Sequence, residues 1–289
     1  MCFFNYPKIE EFGLDFWIKI TLKVIYFGDK DLNLEKLIFN LKPVVFEAGD
    51  AIIEIYKNGA KAEYKEDGSP VTIADRLSEE IILNSLNSIA PNIPIVSEEN
   101  SISHKKVFSD EYFLVDPLDG TKEFLDFSGS GEFTVNIGLI SKNRPIMGII
   151  YSPNSGQLYY GISTEGSFFE NNNGEIFNLK VKKDETDDII AIASKNHLSS
   201  KTETWLADRK IKNIISASSS IKFCAIAKGD ADVYPRFSPT MEWDTAAGDA
   251  ILTGAGGIVT EGDSNKPLFY GKPNYKNLDF IAWSKLKFF

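Results

Sequence analysis

Apolar residues recur at intervals of three and four between Leu32 and Tyr56, which is the period of a helix. This run predicts one long helix or two, with Pro43 as a kink or a junction. The polar stretch 62–71 contains a glycine and a proline and predicts a loop. A second helix is predicted after that loop, because Thr72 and Asp75 have the spacing of a capping box. Asp75 is therefore expected in the first turn of a helix.

Short runs typical of strands follow, and the pattern changes after the charged segment 180–188. Before that segment, strands are predicted at 93–96, 112–115, 133–140, 146–151, 157–160 and 167–170. After it, strands are predicted at 189–193, 214–217, 231–234 and 257–260, and helices at 199–208, 219–228 and 243–253. The change predicts an α+β lobe over 32–181 and an α/β lobe over 182–289, preceded by an N-terminal extension, residues 1–31, of unknown role.

Composition and charge restrict the kinds of partner. The chain has 289 residues, and its hydrophobic fraction of 43% is typical of a globular protein. Its formal net charge of −10 argues against a nucleic-acid partner. Two cysteines, Cys2 and Cys224, build neither a disulfide framework nor a CxxC zinc site, and they fit a reducing cytoplasm. Charged residues interrupt the hydrophobic N-terminal extension too often for a membrane span. Three interpretations of this extension stay open: an extra docking strand, a peripheral membrane contact and an artefactual start.

Acidic residues mark the ends of the predicted strands. Glu98 follows one strand, and the run Asp116–Thr121, which holds a second acid at Asp119, follows the next. Any one of these acids could be a solvated loop residue, but acids at the carboxyl ends of neighbouring strands can converge. Two carboxylates at about 4 Å repel by about 4 kcal/mol at an effective dielectric of 20, which a cation relieves. Oxygen ligands favour magnesium, manganese or calcium over zinc.

Three motifs resemble the signatures of the inositol monophosphatase superfamily, in the expected order: Val96–Glu99, Asp116–Thr121 and Trp243–Gly248. The resemblance extends over residues 34–285 and implies an α/β fold, a layered αβαβα sandwich. Within the superfamily, the chain resembles the bacterial 3'(2'),5'-bisphosphate nucleotidases most. The segments that carry this finer match are 67–72, 119–124, 131–137, 219–224 and 234–237.

The resemblance implies two Mg²⁺ ions and leaves a third, shared with Glu98, open. Glu98, Asp116 and the carbonyl of Leu118 would hold the first ion. Asp116, Asp119 and Asp244 would hold the second. The lobe over 32–181 would then carry most of the metal ligands and the lobe over 182–289 would recognise the substrate.

The resemblance also assigns catalytic residues. Gly120 and Thr121 would present a backbone amide and a hydroxyl to the phosphate at the start of a helix. Asp75 would accept a hydrogen bond from the Thr121 hydroxyl, and the pair, with Glu98, would polarise the attacking water. The implied reaction is in-line attack of activated water on the 3'-phosphate of 3'-phosphoadenosine 5'-phosphate, which gives AMP and phosphate.

Nucleotide specificity would come from the second lobe, through His197, Ser219, Lys222 and Arg236. Taken without the resemblance, Ser219 could be a helix N-cap, Lys222 a surface lysine and His197 a loop residue. Arg236 is the strongest of the four, because a guanidinium binds phosphate with two parallel hydrogen bonds. The expected substrate contacts also include the set Glu98, Leu118, Asp119, Gly120, Thr121 and Asp244.

Several alternatives stay open at this point. The same chemistry could act on inositol monophosphate, fructose bisphosphate or 3'-phosphoadenosine 5'-phosphosulfate, and a metal-binding regulatory protein without catalysis is a rival of another class. An aspartyl-phosphate mechanism is disfavoured, because Asp116 and Asp119 are one residue too far apart for the Asp-x-Asp motif that it uses. The resemblance implies inhibition by lithium and a role in sulfur metabolism. A monomer or homodimer is expected, in the cytoplasm or at the cytoplasmic face of the inner membrane.

Overall fold

A computed structural model describes residues 32–65, 68, 70–105, 109–127, 131–182, 188–194 and 199–285. The predictions made for the extension 1–31 and for His197 lie outside these residues. Among the helices of the described ranges, none combines the length and the hydropathy that a membrane span needs.

Two helices form the first layer. Helix α1 (Leu34–Asn58) begins at Asn33, whose side chain accepts a hydrogen bond from the Lys36 amide, and it continues through Pro43 as a single helix. The one-helix alternative is therefore confirmed. The stretch predicted as a loop contains a short antiparallel pair, β1 (Glu63–Tyr64) and β2 (Pro70–Val71). Helix α2 (Ile73–Ile89) begins with the predicted capping box.

A seven-stranded sheet packs against these helices. Its strands, in spatial order, are β3 (Ile95–Ser97), β4 (Glu111–Asp119), β5 (Thr134–Ser141), β6 (Arg144–Ser152), β7 (Gln157–Ile162), β8 (Gly166–Glu170) and β9 (Ile176–Asn178). Only β3 and β4 are parallel to each other among these neighbours. Strand β4 is longer than predicted, because it stays paired with β5 as far as Asp119, with a register shift after Asp116. Helix α3 (Thr121–Leu125) follows directly.

A five-stranded mixed sheet is built from the later residues. Its strands are β10 (Ile190–Ser194), β11 (Asn213–Ala217), β12 (Val233–Arg236), β13 (Ile258–Glu261) and β14 (Phe280–Trp283), in the spatial order β11-β10-β12-β14-β13. The helices of this part are α4 (Ser200–Asp208), α5 (Ile221–Lys228) and α6 (Ala246–Gly254). Strand β14, which the sequence analysis missed, pairs with both β12 and β13.

The elements stack in five layers. Helices α1 and α2 cover one face of the seven-stranded sheet, α5 and α6 lie between the two sheets, and α4 packs on the far face of the five-stranded sheet. A Cβ atom at Gly148 of β6 would lie 2.2 Å from the Ala247 carbonyl oxygen, so only glycine lets α6 approach this sheet so closely. The predicted αβαβα sandwich is confirmed, whereas the division into two lobes near residue 181 stays a prediction.

Candidate active site

The end of β4 and two neighbouring segments bring three acidic side chains together. Glu98 follows β3, Asp116 lies in β4, and Asp244 ends the short 3₁₀ turn Glu242–Asp244 before α6. One carboxylate oxygen from each residue lies within 4.8 Å of the others. Asp116 is buried, and Glu98 and Asp244 are partly exposed. The three residues were predicted as ligands of two different ions, and the structure places them in one group.

Burial and mutual repulsion make the charged forms of these three carboxylates unfavourable. Burial raises the pKa of Asp116 well above its ordinary value, and the nearby charges of Glu98, Asp119 and Asp244 raise it further. Burial also raises the pKa of Asp244, helped by Asp119 and Glu98. Burial raises the pKa of Glu98 too, Lys65 opposes the rise, and the charges of Asp119 and Asp75 add to it. A cation at this point would therefore stabilise the charged forms.

Asp119, the fourth predicted carboxylate ligand, is oriented by hydrogen bonds from β5 and from the segment that leads into α5. Its Oδ2 accepts from the Ser219 hydroxyl at 2.5 Å, from the Ser220 amide at 2.8 Å and from the Asn136 side-chain amide at 3.4 Å. After burial, its charge is the largest cause of the raised pKa of Asp244, and it also raises the pKa of Asp116, after burial and Glu98. Asp119 therefore lies near the group of three while one of its oxygens is bound by protein donors.

The predicted pair of Asp75 and Thr121 is present. The Thr121 hydroxyl lies 3.3 Å from Asp75 Oδ1 and 3.2 Å from the carbonyl oxygen of Leu118. The other oxygen of Asp75 accepts hydrogen bonds from the backbone amide and the hydroxyl of Thr72, both at 2.7 Å. Burial raises the pKa of Asp75, and these hydrogen bonds oppose the rise. Gly120 precedes α3 with a φ of 93°, a left-handed conformation that suits glycine.

Lys65, which the sequence analysis missed, supplies positive charge beside the acids. Its Nζ lies 2.8 Å from Glu98 Oε1 and 2.6 Å from Glu99 Oε1. Burial raises the pKa of Glu99 to about 7, although Lys65 opposes the rise. Lys65 follows β1 in a stretch that reads only as a polar loop, so its contact with Glu98, 33 residues away, had no signal in the local pattern.

A cleft of about 160 Å³ brings the predicted nucleotide contacts to the acids. The predicted site residues that line it are Asp119, Gly120, Ser219, Lys222, Arg236 and Asp244. Lys222 is buried, and its Nζ donates to the carbonyl oxygen of Ser219 at 2.6 Å. Arg236 donates from Nη1 to the Ser194 hydroxyl at 2.6 Å. Helix α5 and strand β12 thus contribute one basic side chain each to the cleft that Asp119 and Asp244 border.

Burial changes the titration of Lys222. It lowers the pKa of this lysine to about 8, and Arg236 lowers it as well, whereas Asp119 and two other acids raise it. Lys222 is therefore a buried amine and not the solvated surface lysine that stood as its alternative. Ser219 is not the N-cap of α5 either, because Ser220 holds that position.

The donor chemistry of the site fits divalent magnesium or manganese. The group of Glu98, Asp116 and Asp244 offers only carboxylate oxygens, which are the hard ligands that these ions take. A cation there would also offset the burial and mutual repulsion that raise the three pKa values. The residues present therefore fit the metal that the acids predict.

Comparison with known proteins gives consistent matches. A sequence model of the inositol monophosphatase family matches residues 33–283. The 3'(2'),5'-bisphosphate nucleotidase CysQ of Salmonella typhimurium is 40% identical over 215 residues, 73% of this chain and 85% of that protein. The CysQ nucleotidase of Buchnera aphidicola is 38% identical over 266 residues, 90% of this chain and 98% of its own. The crystal structure of CysQ from Bacteroides thetaiotaomicron superposes with a TM-score of 0.75 at 38% identity, covering 86% of this chain and 98% of that one.

Proposed function

The chain belongs to the inositol monophosphatase family, and from that premise we propose that it is a 3'(2'),5'-bisphosphate nucleotidase that removes the 3'-phosphate of 3'-phosphoadenosine 5'-phosphate. The products are AMP and phosphate. The curated relatives named above carry this activity in their names, and the match covers most of this chain and of theirs.

One observation supports this function most strongly. Asp244, which is grouped with the carboxylates of Glu98 and Asp116, lines a cleft that Lys222 and Arg236 also line. Carboxylates with a divalent cation can act on one phosphate, and the two cationic side chains can hold a second anionic group of the same small molecule. A bisphosphate therefore suits this site better than a monophosphate with a neutral remainder.

The chemistry divides between the metal and the protein. When bound, magnesium would supply the positive charge that draws in the phosphate and makes water a better nucleophile. Glu98, Asp116, the Leu118 carbonyl, Asp119 and Asp244 would hold it.

The residues beside the metal ligands activate the water and orient the substrate. Asp75 fixes the Thr121 hydroxyl at 3.3 Å, and this pair orients and accepts a proton from the attacking water. The backbone of Gly120, at the start of α3, contacts the phosphate. Lys222 and Arg236 orient the nucleotide.

A substrate panel tests the proposal. Phosphate release is measured with 3'-phosphoadenosine 5'-phosphate, its phosphosulfate, inositol 1-phosphate and fructose 1,6-bisphosphate at millimolar magnesium. We expect the highest kcat/KM for 3'-phosphoadenosine 5'-phosphate, by at least about tenfold over inositol 1-phosphate. A higher kcat/KM for inositol 1-phosphate would overturn the substrate, and inactivity with all four esters would favour the non-catalytic alternative.

A variant of Arg236 sharpens the same experiment. Arg236→Ala should raise the KM for the bisphosphate nucleotide and leave the KM for inositol 1-phosphate nearly unchanged, because only the nucleotide carries the second phosphate. Arg209→Ala is the matched control, since that arginine pairs with Asp263 outside the cleft. An equal rise for both substrates would remove Arg236 from the specificity site.

Assembly, ion requirement and location belong to the proposal as well. We expect two magnesium ions per site with a third left open, inhibition by lithium, and a monomer or homodimer in the cytoplasm. Metal titration of the activity, lithium titration at high magnesium, light scattering of the purified chain and cell fractionation test these four points.

A further inference from the structure

Asp119 is held by the segment that leads into α5 as well as by its own sheet. Two of the three donors to its Oδ2, the Ser219 hydroxyl at 2.5 Å and the Ser220 amide at 2.8 Å, come from the segment that leads into α5. These serines lie about a hundred residues further along the chain. The third donor, Asn136, belongs to β5 beside Asp119. The carboxylate therefore connects the seven-stranded sheet with the start of α5, in the helix layer between the two sheets.

The serine segment has an uncommon backbone that aims it at Asp119. Ser219 has a φ of 54°, in the left-handed region that residues with a Cβ rarely adopt. Lys222 stabilises this turn, because its Nζ donates to the Ser219 carbonyl oxygen at 2.6 Å. Strained backbone of this kind is concentrated at functional sites. The buried lysine therefore supports the conformation that directs the Ser219 hydroxyl.

Further hydrogen bonds fix both serines against β5. The Thr134 hydroxyl lies 2.5 Å from the Ser219 hydroxyl and 2.8 Å from that of Ser220. The Ser220 hydroxyl donates to the side-chain oxygen of Asn136 at 2.8 Å, and the amide of the same Asn136 side chain donates to Asp119. Ser220 is buried and Thr134 is fully buried, so water competes little for these bonds.

We propose that Ser219 is a positioning residue for the metal site, which orients the Asp119 carboxylate from the segment that leads into α5. This inference rests on the proposed function, which makes Asp119 a ligand of the second ion. With three donors on Oδ2, the carboxylate keeps one orientation and leaves its other oxygen to a cation. Hydrogen bonds that orient a metal ligand in this way commonly change metal affinity by about 10-fold to 100-fold.

This role differs from a contact with substrate alone. A residue that only touches the nucleotide changes its KM and leaves the binding of metal to the free enzyme as it was. A residue that orients Asp119 changes metal binding with no nucleotide present. The two roles are therefore separated by measuring the metal alone.

The experiment uses Mn²⁺ as the probe and the full chain without nucleotide. Manganese binding is measured by titration calorimetry and by the loss of the free-ion EPR signal for the wild type, Ser219→Ala and Ser219→Gly. The wild type should show two classes of Mn²⁺ site, and Asp119 is proposed to belong to the weaker one. We expect both variants to bind Mn²⁺ at this weaker site about tenfold less tightly. Glycine accepts the left-handed backbone, so Ser219→Gly should be at least as resistant to thermal unfolding as Ser219→Ala. Weaker metal binding in the glycine variant would thus follow from the missing hydroxyl and not from strain.

A second serine, at the start of α4 on the five-stranded sheet, provides the control variant. The Ser199 side chain caps α4 by accepting from the Thr202 amide at 3.2 Å. Ser199→Ala should lower the thermal stability and keep the Mn²⁺ affinity of the wild type, because it removes a helix cap away from the acids.

The outcomes separate this inference from the proposed function. Wild-type Mn²⁺ affinity in Ser219→Gly, with a raised KM for the nucleotide, would overturn the positioning role while the enzyme stays a nucleotidase. Weakening in Ser199→Ala as large as in Ser219→Gly would overturn it too, since the effect would then be general destabilisation. Absence of Mn²⁺ binding and of phosphatase activity in the wild type would overturn both proposals.

Discussion

The Thr121 hydroxyl has one proton and two acceptors, Asp75 Oδ1 at 3.3 Å and the Leu118 carbonyl at 3.2 Å. We expect Thr121→Ala to lower kcat by about 10²-fold to 10⁴-fold, the usual size of a general acid–base contribution. Metal affinity should change much less, because the carboxylates of Glu98, Asp116 and Asp244 are untouched. Initial rates at saturating nucleotide and a metal titration measure the two effects.

The serine variant provides the control for Thr121. Thr121→Ser keeps a hydroxyl at the same position and should retain most of kcat. If the alanine variant turned over at the wild-type rate, or lost metal affinity in proportion to kcat, the catalytic role of the Asp75–Thr121 pair would be wrong.

Asp249 is a second buried acid with a defined environment. It is fully buried in α6 and accepts hydrogen bonds from the hydroxyls of Thr253 and Tyr270, both at 3.1 Å. Burial raises its pKa from the ordinary 3.8 to about 6, although Arg144 opposes the rise. The folded state therefore binds this proton more tightly than the unfolded chain. Its contribution to the free energy of unfolding is complete below about pH 4 and is lost as the pH rises through about 6.

We predict that Asp249→Asn removes this pH dependence. The free energy of unfolding of the wild type minus that of the variant should fall by about 2 kcal/mol from pH 4 to pH 7, at about 1.4 kcal/mol per unit of pKa, because pH 4 is already close to the pKa of the unfolded aspartate. Chemical denaturation of the wild type and the variant at a series of pH values measures the difference. A difference that rises with pH would contradict the assignment.

Helix α1 carries an unfavourable residue in its interior. Pro43 has no amide hydrogen to donate to the carbonyl four residues earlier, and the helix continues past it. We expect Pro43→Ala to raise the free energy of unfolding by about 2 kcal/mol, because the gain in the helix exceeds the extra entropy of the unfolded chain. Urea denaturation measures the change.

The comparison for Pro43 lies one turn further along the same helix. Glu47 is exposed, and Glu47→Ala should change the free energy of unfolding by less than about 0.5 kcal/mol. Should Pro43→Ala destabilise the protein instead, the proline would have a packing role that its exposed position does not suggest.

Elements whose signals are local were predictable from the sequence. The capping box of Thr72 and Asp75 depends on residues three apart, and it was read correctly. Strand β4 was predicted to end at Val115, because its continuation to Asp119 depends on pairing with β5, which the residues of β4 do not reveal. The left-handed backbone of Ser219 likewise could not be predicted from the neighbouring residues, since the contacts that hold it come from distant parts of the chain.

At the scale of the whole molecule, both sheets supply the site. The seven-stranded sheet and its connections provide Glu98, Asp116 and Asp119, whereas Asp244, Lys222 and the serines come from the part that carries the five-stranded sheet. The motifs predict that these acids act together. Glu98, Asp116 and Asp244 do lie close to one another, and their role as metal ligands stays a prediction. How Lys65 and Ser219 join this group follows from the packing of the layers, which no single motif encodes.

The acidic group sets function against stability. Burial and neighbouring acids raise the pKa of Asp116 and Asp244, so the charged forms destabilise the folded state when no cation offsets them. In the presence of EDTA, stability should therefore fall as the pH rises above the ordinary range of an aspartate, because the unfolded chain releases these protons first. A cation that binds only the folded state adds stability in proportion to the logarithm of its concentration.

We predict that Asp244→Asn exchanges function for stability. Its side-chain oxygen can still accept the hydrogen bond from the Met241 amide, which is 2.8 Å long in the wild type, while one buried charge is gone. In EDTA at pH 8, the variant should have a Tm about 2 to 4 °C above the wild type, which corresponds to about 1 kcal/mol. At 10 mM magnesium the order should reverse, because only the wild type keeps the full ligand set and gains stability from the ion. Phosphatase activity should be lost under both conditions.

The exposed Asp208→Asn, which also removes one negative charge, should show neither effect, so a similar gain there would point to net charge instead of the acidic group. A variant less stable than the wild type in EDTA would show that Asp244 stabilises the fold by itself, without a cation.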